Sequence, residues 1–212
     1  MNAPLLTCGL DEAGRGALAG VLVAAMVAFP PNFRLTEKFP DLPFRDSKKL
    51  TPKQRAEAVR YIYEWAAFVD VEVISVADID ANGIGWANRS IFEALIWRPL
   101  EAAHYVVDGN LKLTNLGRKA PRVRCVVRAD EQFEAVAAAS IVAKVKRDQI
   151  MADLHEHYPH YGWDHNRGYG TAAHLAALRE HGLSPHHRRT FVATALSKPP
   201  RLPGFEADED TA

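Results

Sequence analysis

The chain has 212 residues, of which 48% are hydrophobic and 25% are charged, as is usual for a soluble globular protein. The formal net charge is zero, so no global positive field attracts a polyanion, and any nucleic-acid surface must come from local clusters of cations. The longest apolar runs are too short to cross a membrane and the N-terminal pattern is not that of a signal peptide, so membrane attachment is not expected.

The first predicted element is a strand that ends in Asp11-Glu12. A glycine-rich stretch with Gly14, Gly16 and Gly20 follows it, and residues 21–29 form a second apolar run, a pattern that predicts strand, tight turn and strand. A carboxylate pair at the end of an apolar strand is costly to desolvate unless a cation compensates. A glycine backbone can approach a sugar-phosphate closely and offer N–H groups to it. The combination of two acids with a glycine-rich turn therefore suggests phosphoryl chemistry.

One alternative for the same stretch is a dinucleotide-binding fingerprint, which Gly14-x-Gly16-x-x-Ala19 loosely matches. That fingerprint requires a helix to begin within the glycines. The valine-rich run after Gly20 favours a strand instead, and this argues against a nucleotide cofactor.

The remaining elements follow in chain order after an irregular, proline-broken segment at residues 30–45. Thr51 and Pro52 form an N-cap and first-turn pair that begins a helix. The predicted elements are helix 52–67, strand 69–76, helix 77–98 interrupted at Gly83 and Gly85, strand 104–108, strand 123–127, helix 131–157 and a helix from Thr171 to about residue 181. The pattern predicts an α/β fold around a sheet of mixed direction, and the proline-rich, acidic end predicts a disordered tail.

Acids follow three of the predicted strands: Asp11 and Glu12, then Asp108, then Asp130. Functional groups of α/β sheets gather at such strand ends, and converging carboxylates need cations. Hard oxygen ligands suit Mg²⁺ or Mn²⁺, and two such ions would support an in-line displacement at phosphorus. Neighbouring strand residues point to opposite faces, so Glu12 serves the same site only if the chain bends or if its main-chain carbonyl takes part.

Five motifs in order make the chain resemble the type 2 ribonucleases H, the ribonuclease HII family, over nearly its whole length. They are Gly9-Leu-Asp-Glu-Ala-Gly-Arg-Gly16, Asp46-Ser-Lys-Lys-Leu50, Val107-Asp-Gly109, residues 137–145 with Arg147-Asp148, and Gly168-Tyr-Gly-Thr171. The resemblance implies a ribonuclease H-like mixed five-stranded sheet flanked by helices. It divides the chain into a catalytic core at 1–157, a helical C-terminal extension at 158–197 that contributes to substrate binding, and a tail at 198–212.

The resemblance also implies an activity and a set of site residues. The expected substrates are RNA–DNA hybrids and duplex DNA with embedded ribonucleotides. The expected catalytic acids are Asp11, Glu12, Asp108 and Asp130, of which the first three hold Mg²⁺ or Mn²⁺, two per site with substrate bound. The expected substrate-binding residues are Gly14, Arg15, Gly16, Ser47, Lys48, Lys49 and Tyr169.

The residues themselves give these substrate contacts a physical basis. A protein that distinguishes RNA from DNA must read the 2′-hydroxyl, and the backbone of the Gly14–Gly16 turn offers both a donor and an acceptor at close range. Tyr169 lies between two glycines, so its ring is expected to be exposed and free to stack, although a packed tyrosine is the alternative. Lys48 and Lys49 are candidate phosphate contacts, as are Lys144, Lys146, Arg147 and Arg167.

Three departures from the family pattern affect loops. Ala17 and Val21 stand where proline is usual, Arg128-Ala129 where Lys-Gly is usual, and Asn166-Arg167 where His-Lys is usual. They place the fine loop geometry in question but not the activity. A non-catalytic binding module would need one acid to be missing, and a type 3 relative would need an additional N-terminal domain, so both are disfavoured.

Cysteine and histidine complete the expectations. Cys8 and Cys125 lie in strand-like runs without a Cys-x-x-Cys motif, which favours buried reduced thiols and a cytoplasmic location. Histidines recur at positions 155, 157, 160, 165, 186 and 187, but a zinc site is disfavoured because neither cysteine nor a His-Glu-x-x-His helix accompanies them. We expect a monomer.

Overall fold

A mixed five-stranded sheet forms the centre of the molecule. The computed structural model describes residues 6–40, 44, 50–98 and 104–197. The strands are β1 (Thr7–Ala13), β2 (Leu22–Ala28), β3 (Phe68–Ile74), β4 (His104–Asp108) and β5 (Val123–Val126), in the spatial order β3-β2-β1-β4-β5. The predicted five-stranded sheet of mixed direction is therefore confirmed.

Strand direction determines where the acids meet. β1 and β2 form an antiparallel pair from Cys8↔Ala28 to Ala13↔Val23, joined by the glycine-rich turn. β4 runs parallel to β1, with Leu10 opposite Val107, and β5 runs parallel to β4. Because parallel strands end at the same edge of a sheet, the acids after β1 and β4 and the turn after β5 share one edge.

The predicted helices are present, with one of them divided in two, and helices at Leu35–Lys38, Trp163–Asn166 and Arg189–Ser197 were not among the predicted elements. The helices are α1 (Leu35–Lys38), α2 (Pro52–Trp65), α3 (Val76–Asn82), α4 (Ile84–Ile96), α5 (Ala129–Gln132), α6 (Glu134–His157), α7 (Trp163–Asn166), α8 (Ala172–His181) and α9 (Arg189–Ser197), with short 3₁₀ helices at Gly117–Arg122 and Pro159–Tyr161. The prediction of a single helix at 131–157 was wrong, because Phe133 is extended (φ −122°, ψ 115°) and separates α5 from α6.

Local signals explain the helix boundaries. Thr51 and Gln54 form a reciprocal capping box at the start of α2. Thr171 caps α8 by accepting from the His174 backbone N–H. Gly83, at φ +81°, separates α3 from α4 where the sequence predicted an interruption.

Hydrophobic cores cover both faces of the sheet. Along β2, Ala24, Met26 and Ala28 pack toward α4, whereas the alternate residues pack toward α2 and α6. Helix α6 lies so close to β1 that a Cβ atom on Gly9 would come within 2.1 Å of the Ala135 backbone, so only glycine fits there. This contact between α6 and β1 brings the middle of α6 against Asp11.

The C-terminal helices pack against the glycine-rich turn instead of against the sheet. Leu18 and Ala19 of the turn join a separate apolar cluster with Met151, Trp163 and Val192. The backbone N–H groups of Leu18 and Ala19 both donate to the Gly168 carbonyl, at 2.8 and 3.1 Å. The turn is thus held by chain segments about 150 residues away in sequence.

The predicted tail at 198–212 lies outside the described residues. Within the described part, none of the helices combines the length and apolarity needed to cross a bilayer. Cys8 is buried and Cys125 is half-buried, and both are free thiols. Burial raises the pKa of Cys8 to about 12, so this thiol stays protonated and unreactive at neutral pH.

Candidate active site

Three acids meet at the edge where β1 and β4 end. Asp11 is buried, with 7% of its surface exposed, and its Oδ1 accepts from the Glu12 backbone N–H at 2.7 Å. Asp108 is half-buried, and its Oδ1 accepts from the Ala129 N–H at 2.7 Å. Asp130 follows Ala129 on α5, so this hydrogen bond ties the start of α5 to the end of β4.

Electrostatics couples these carboxylates. The pKa of Asp11 is raised to about 8, first by burial and then by the negative charges of Glu12 and Asp108, while a hydrogen bond with Ser140 of α6 opposes the rise. Burial also raises the pKa of Glu12, and Asp108 adds to the rise, whereas Arg15 lowers it. The edge of the sheet is thus a place where negative charge accumulates and a cation would be stabilised.

The glycine-rich turn is held from inside by two buried arginines. Arg188 donates to the carbonyls of Arg15, Gly20 and Val21 at 2.9–3.1 Å. Arg147 of α6 donates to the carbonyls of Ala19, Val21 and Arg167 at 2.8–3.1 Å. Burial lowers the pKa of both guanidinium groups, that of Arg188 to about 10, so both remain charged at neutral pH.

These contacts correct one expectation. Arg147 was a candidate phosphate contact, but its side chain is fully buried and its three donors bind main-chain carbonyls. The sequence offered no signal for Arg188, because an Arg-Arg pair after two histidines is usual on a solvated surface. Ser140 was not among the predicted site residues, although a single hydroxyl among alanines could have indicated a polar partner.

A cavity of about 490 Å³ opens beside the acids. It is lined by residues of β1, the turn, α2, α6 and the C-terminal extension: Glu12, Ala13, Gly14, Arg15, Arg55, Ser140, Ile141, Lys144 and Tyr169. Tyr169 is 39% exposed, with the Arg147 guanidinium 5.3 Å and the Lys144 ammonium 6.0 Å from its ring centroid. An aromatic ring beside cations at the rim of a cavity that adjoins the acids is suited to stacking against a nucleotide.

The turn itself is shaped for close approach. Gly14 has φ +94°, and a Cβ atom there would lie 1.9 Å from Arg147 Nε, so the position requires glycine. Gly16 is exposed, and a Cβ atom there would meet nothing within 4 Å, which leaves its backbone open to a ligand. The exposed Arg15 between them forms an ion pair with Glu12 at 3.3 Å.

A polar network beneath Tyr169 involves two histidines. His174 and His187 are buried, with Nε2 atoms 3.1 Å apart, and His174 Nδ1 lies 2.9 Å from the Tyr169 carbonyl oxygen. His187 Nδ1 lies 3.0 Å from the Ser184 backbone nitrogen, and its pKa is lowered to about 4 by burial and by His174. Both imidazoles are therefore neutral structural groups at pH 7.

The remaining expected residues divide into two groups. Ser47, Lys48 and Lys49 lie outside the described residues. Of the acids, the structure brings Asp11, Glu12 and Asp108 within mutual electrostatic reach.

The donor set fits a divalent metal ion. All its ligand atoms are carboxylate oxygens, the type that Mg²⁺ and Mn²⁺ prefer, and Asp11 is a buried carboxylate whose ionisation a cation would favour. No group of three or more His, Cys, Asp or Glu side chains within the described residues has the geometry of a complete metal site. Asp11, Glu12 and Asp108 are the carboxylates at this edge that could take part in such a site.

Comparison with known proteins agrees with this geometry. The family model described as "Ribonuclease HII" matches residues 8–194. A protein named ribonuclease HII from Paramagnetospirillum magneticum is 43% identical over 194 residues, which cover 90% of this chain and 92% of that protein. One from Thermosynechococcus vestitus is 40% identical over 190 residues, covering 89% and 84%.

A solved structure of similar architecture supports the same family relationship. The crystal structure of ribonuclease H2 from Pyrococcus horikoshii superposes with a TM-score of 0.74 at 25% identity, covering 90% of this chain and 97% of that one. On the strength of the family match, the identity and the shared architecture, the chain belongs to the ribonuclease HII family of metal-dependent endoribonucleases, which cleave the RNA strand of RNA–DNA hybrids.

Proposed function

We propose that this chain cuts on the 5′ side of ribonucleotides, both in RNA–DNA hybrids and singly embedded in duplex DNA, and leaves a 3′-hydroxyl and a 5′-phosphate. The observation that supports it most is the buried Asp11 carboxylate, flanked by Glu12 and Asp108 and adjoining a cavity with an open glycine turn. Such a site combines affinity for cations with room for a sugar-phosphate backbone.

Asp11, Glu12 and Asp108 hold the metal ions in this proposal, and Asp130 completes the set of catalytic acids. Two divalent ions, when bound, would supply the positive charge that activates a water and stabilises the leaving oxygen. Ser140 orients the Asp11 carboxylate through its hydrogen bond. With its negative charge compensated, the site accepts a phosphodiester that the bare carboxylates would repel.

The turn and Tyr169 select the ribonucleotide. Gly14, Arg15 and Gly16 present backbone donors and acceptors to the 2′-hydroxyl, and the buried Arg188 keeps the turn in place from below. Tyr169 stacks on the neighbouring sugar or base. Ser47, Lys48 and Lys49 bind phosphates. Residues 158–197 thereby act as a substrate-binding extension on the 1–157 catalytic core.

Cleavage of a DNA duplex that contains one ribonucleotide tests the proposal. We expect a single cut 5′ of that residue with Mg²⁺ or Mn²⁺, none with EDTA, and none in an all-DNA duplex. Asp11→Asn should abolish cleavage and retain binding. Cleavage in EDTA, a product with a 2′,3′-cyclic phosphate, or full activity of Asp11→Asn would refute the metal-dependent mechanism.

A further inference from the structure

A second cleft shares Arg15 with the cavity beside the acids. Its volume is about 350 Å³, and it is formed by the start of α4 and the loop after β4: Arg15, Ile84, Gly85, Asn88, Arg89, Asn110, Leu111 and Lys112. Arg15 lines both cavities, and Asp108 precedes Asn110 by two residues. The cleft therefore continues directly from the candidate active site.

All the charged residues that line this cleft are cations, whereas the lining of the active-site cavity also includes Glu12. Arg15, Arg89 and Lys112 contribute three cations to the cleft, and its lining contains no acid. Helix α4 begins there with no side-chain cap and no acidic residue in its first turn. Free N–H groups at the start of a 13-residue helix add a partial positive charge, so the cleft attracts anions such as phosphate.

A buried carboxamide provides a second, independent indication of a ligand. Asn88 on α4 is only 3% exposed and lines the cleft. Its Oδ1 has no hydrogen-bond partner among the residues that the structure describes. A buried polar group without a partner is costly in the free protein, and such groups are often completed by a bound molecule or an ordered water.

We propose that this cleft binds a second segment of the sugar-phosphate backbone of the same duplex, away from the phosphate that is cleaved. Arg89 and Lys112 contact its phosphates, and Asn88 hydrogen-bonds its backbone or the water that bridges to it. The inference rests on the proposed function, because the duplex must already be seated beside Asp11. Because the net charge of the chain is zero, no global electrostatic field attracts the duplex, and local clusters of cations such as this one must do so.

The salt dependence of binding tests the two cations. The double variant Arg89→Gln/Lys112→Gln is compared with Arg60→Gln/Arg124→Gln, which removes the same charge from exposed residues that line neither cavity. Binding of a labelled RNA–DNA hybrid is measured in EDTA across a salt series. Each lost phosphate contact should reduce the slope of log K against log salt by about 0.9, so a decrease of about 1–2 is expected for the double variant alone.

Asn88 supplies a test that separates binding from folding. Asn88→Leu removes the unpartnered group, so the thermal stability should stay the same or rise while hybrid binding weakens several-fold. A merely structural asparagine would show the opposite pattern, a loss of stability with unchanged binding.

Two results would overturn the proposal and leave the proposed function standing. One is a wild-type salt slope in Arg89→Gln/Lys112→Gln, and the other is an equal decrease in the control pair. Cleavage kinetics distinguish this proposal from the proposed function, because loss of the cleft contacts should raise KM and leave kcat within about twofold. Failure of the wild-type protein to cleave at all would refute the proposed function itself.

Discussion

Replacement of Asp11 by asparagine should make the metal-free protein more stable. Asp11 has a pKa of about 8 against an ordinary 3.8, mainly because of burial and secondly because of Glu12. A carboxyl whose pKa is raised by folding resists ionisation in the folded state. The resulting penalty is absent below pH 3.8, grows as the pH rises toward about 8, and is complete above that pH.

The pKa difference sets the size of the effect. At 1.36 kcal/mol per pKa unit, the full penalty is about 6 kcal/mol above pH 8 and about 4 kcal/mol at pH 7. Local relaxation and the weakened hydrogen bond with Ser140 reduce the gain, so we expect Asp11→Asn to add about 1–3 kcal/mol at pH 8.5. For a chain of this size, each kcal/mol raises the midpoint of thermal unfolding by about 2–4 °C.

Thermal unfolding in EDTA at pH 4.5 and pH 8.5 measures this gain. The control is Asp70→Asn. The wild-type Asp70 carboxylate accepts a hydrogen bond from Arg98 Nε at 2.7 Å, so this variant should lose stability instead. An Asp11→Asn variant that is less stable than wild type at pH 8.5, or a gain that is the same at both pH values, would refute the reasoning. Addition of Mg²⁺ should stabilise the wild type more than the variant, since the cation relieves the same repulsion.

Other parts of the site lead to three further expectations. Arg188→Met removes the side-chain donor to the Arg15 and Gly20 carbonyls and one of the two arginine donors to the Val21 carbonyl, and it should cost about 2–4 kcal/mol in urea unfolding. Arg188→Lys should retain part of this stability. A loss below about 0.5 kcal/mol would contradict the role of Arg188 in holding the turn. Gly14→Ala should lower the free energy of unfolding by at least about 1–2 kcal/mol, because Gly14 has a positive φ and an added Cβ atom would meet Arg147. Gly16→Ala should leave the stability nearly unchanged and lower only the cleavage activity. Equal stabilities of the two variants would count against the assigned turn geometry. Folding lowers the pKa of His187 to about 4, so protonation of this side chain opposes folding, and the stability of the protein should fall as the pH drops from 6.5 toward 4. His187→Gln should flatten that decline. An unchanged pH profile of stability in the variant would exclude His187 as the source of the decline.

Local sequence signals identified much of the fold. The strand that ends in Asp11-Glu12, the capping box at Thr51 and the break at Gly83 depend on residues within a few positions of one another. Such short-range patterns determine backbone conformation, and they located the five strands and most of the longer helices. The division between α5 and α6 at Phe133 was missed, because periodicity alone does not show where a helix is interrupted by contacts with other segments.

The sequence by itself determined the family motifs, the acids at the strand ends and the flexible glycines of the turn. Only the tertiary structure decided what surrounds them. The contact from Arg188 to the Arg15 carbonyl spans 173 positions, and Arg147, which the sequence offered as a phosphate contact, is a buried support of the turn. The reason is physical: spacing along the chain determines local conformation, whereas the pKa of Asp11 and the partners of a buried arginine depend on segments that folding alone brings together.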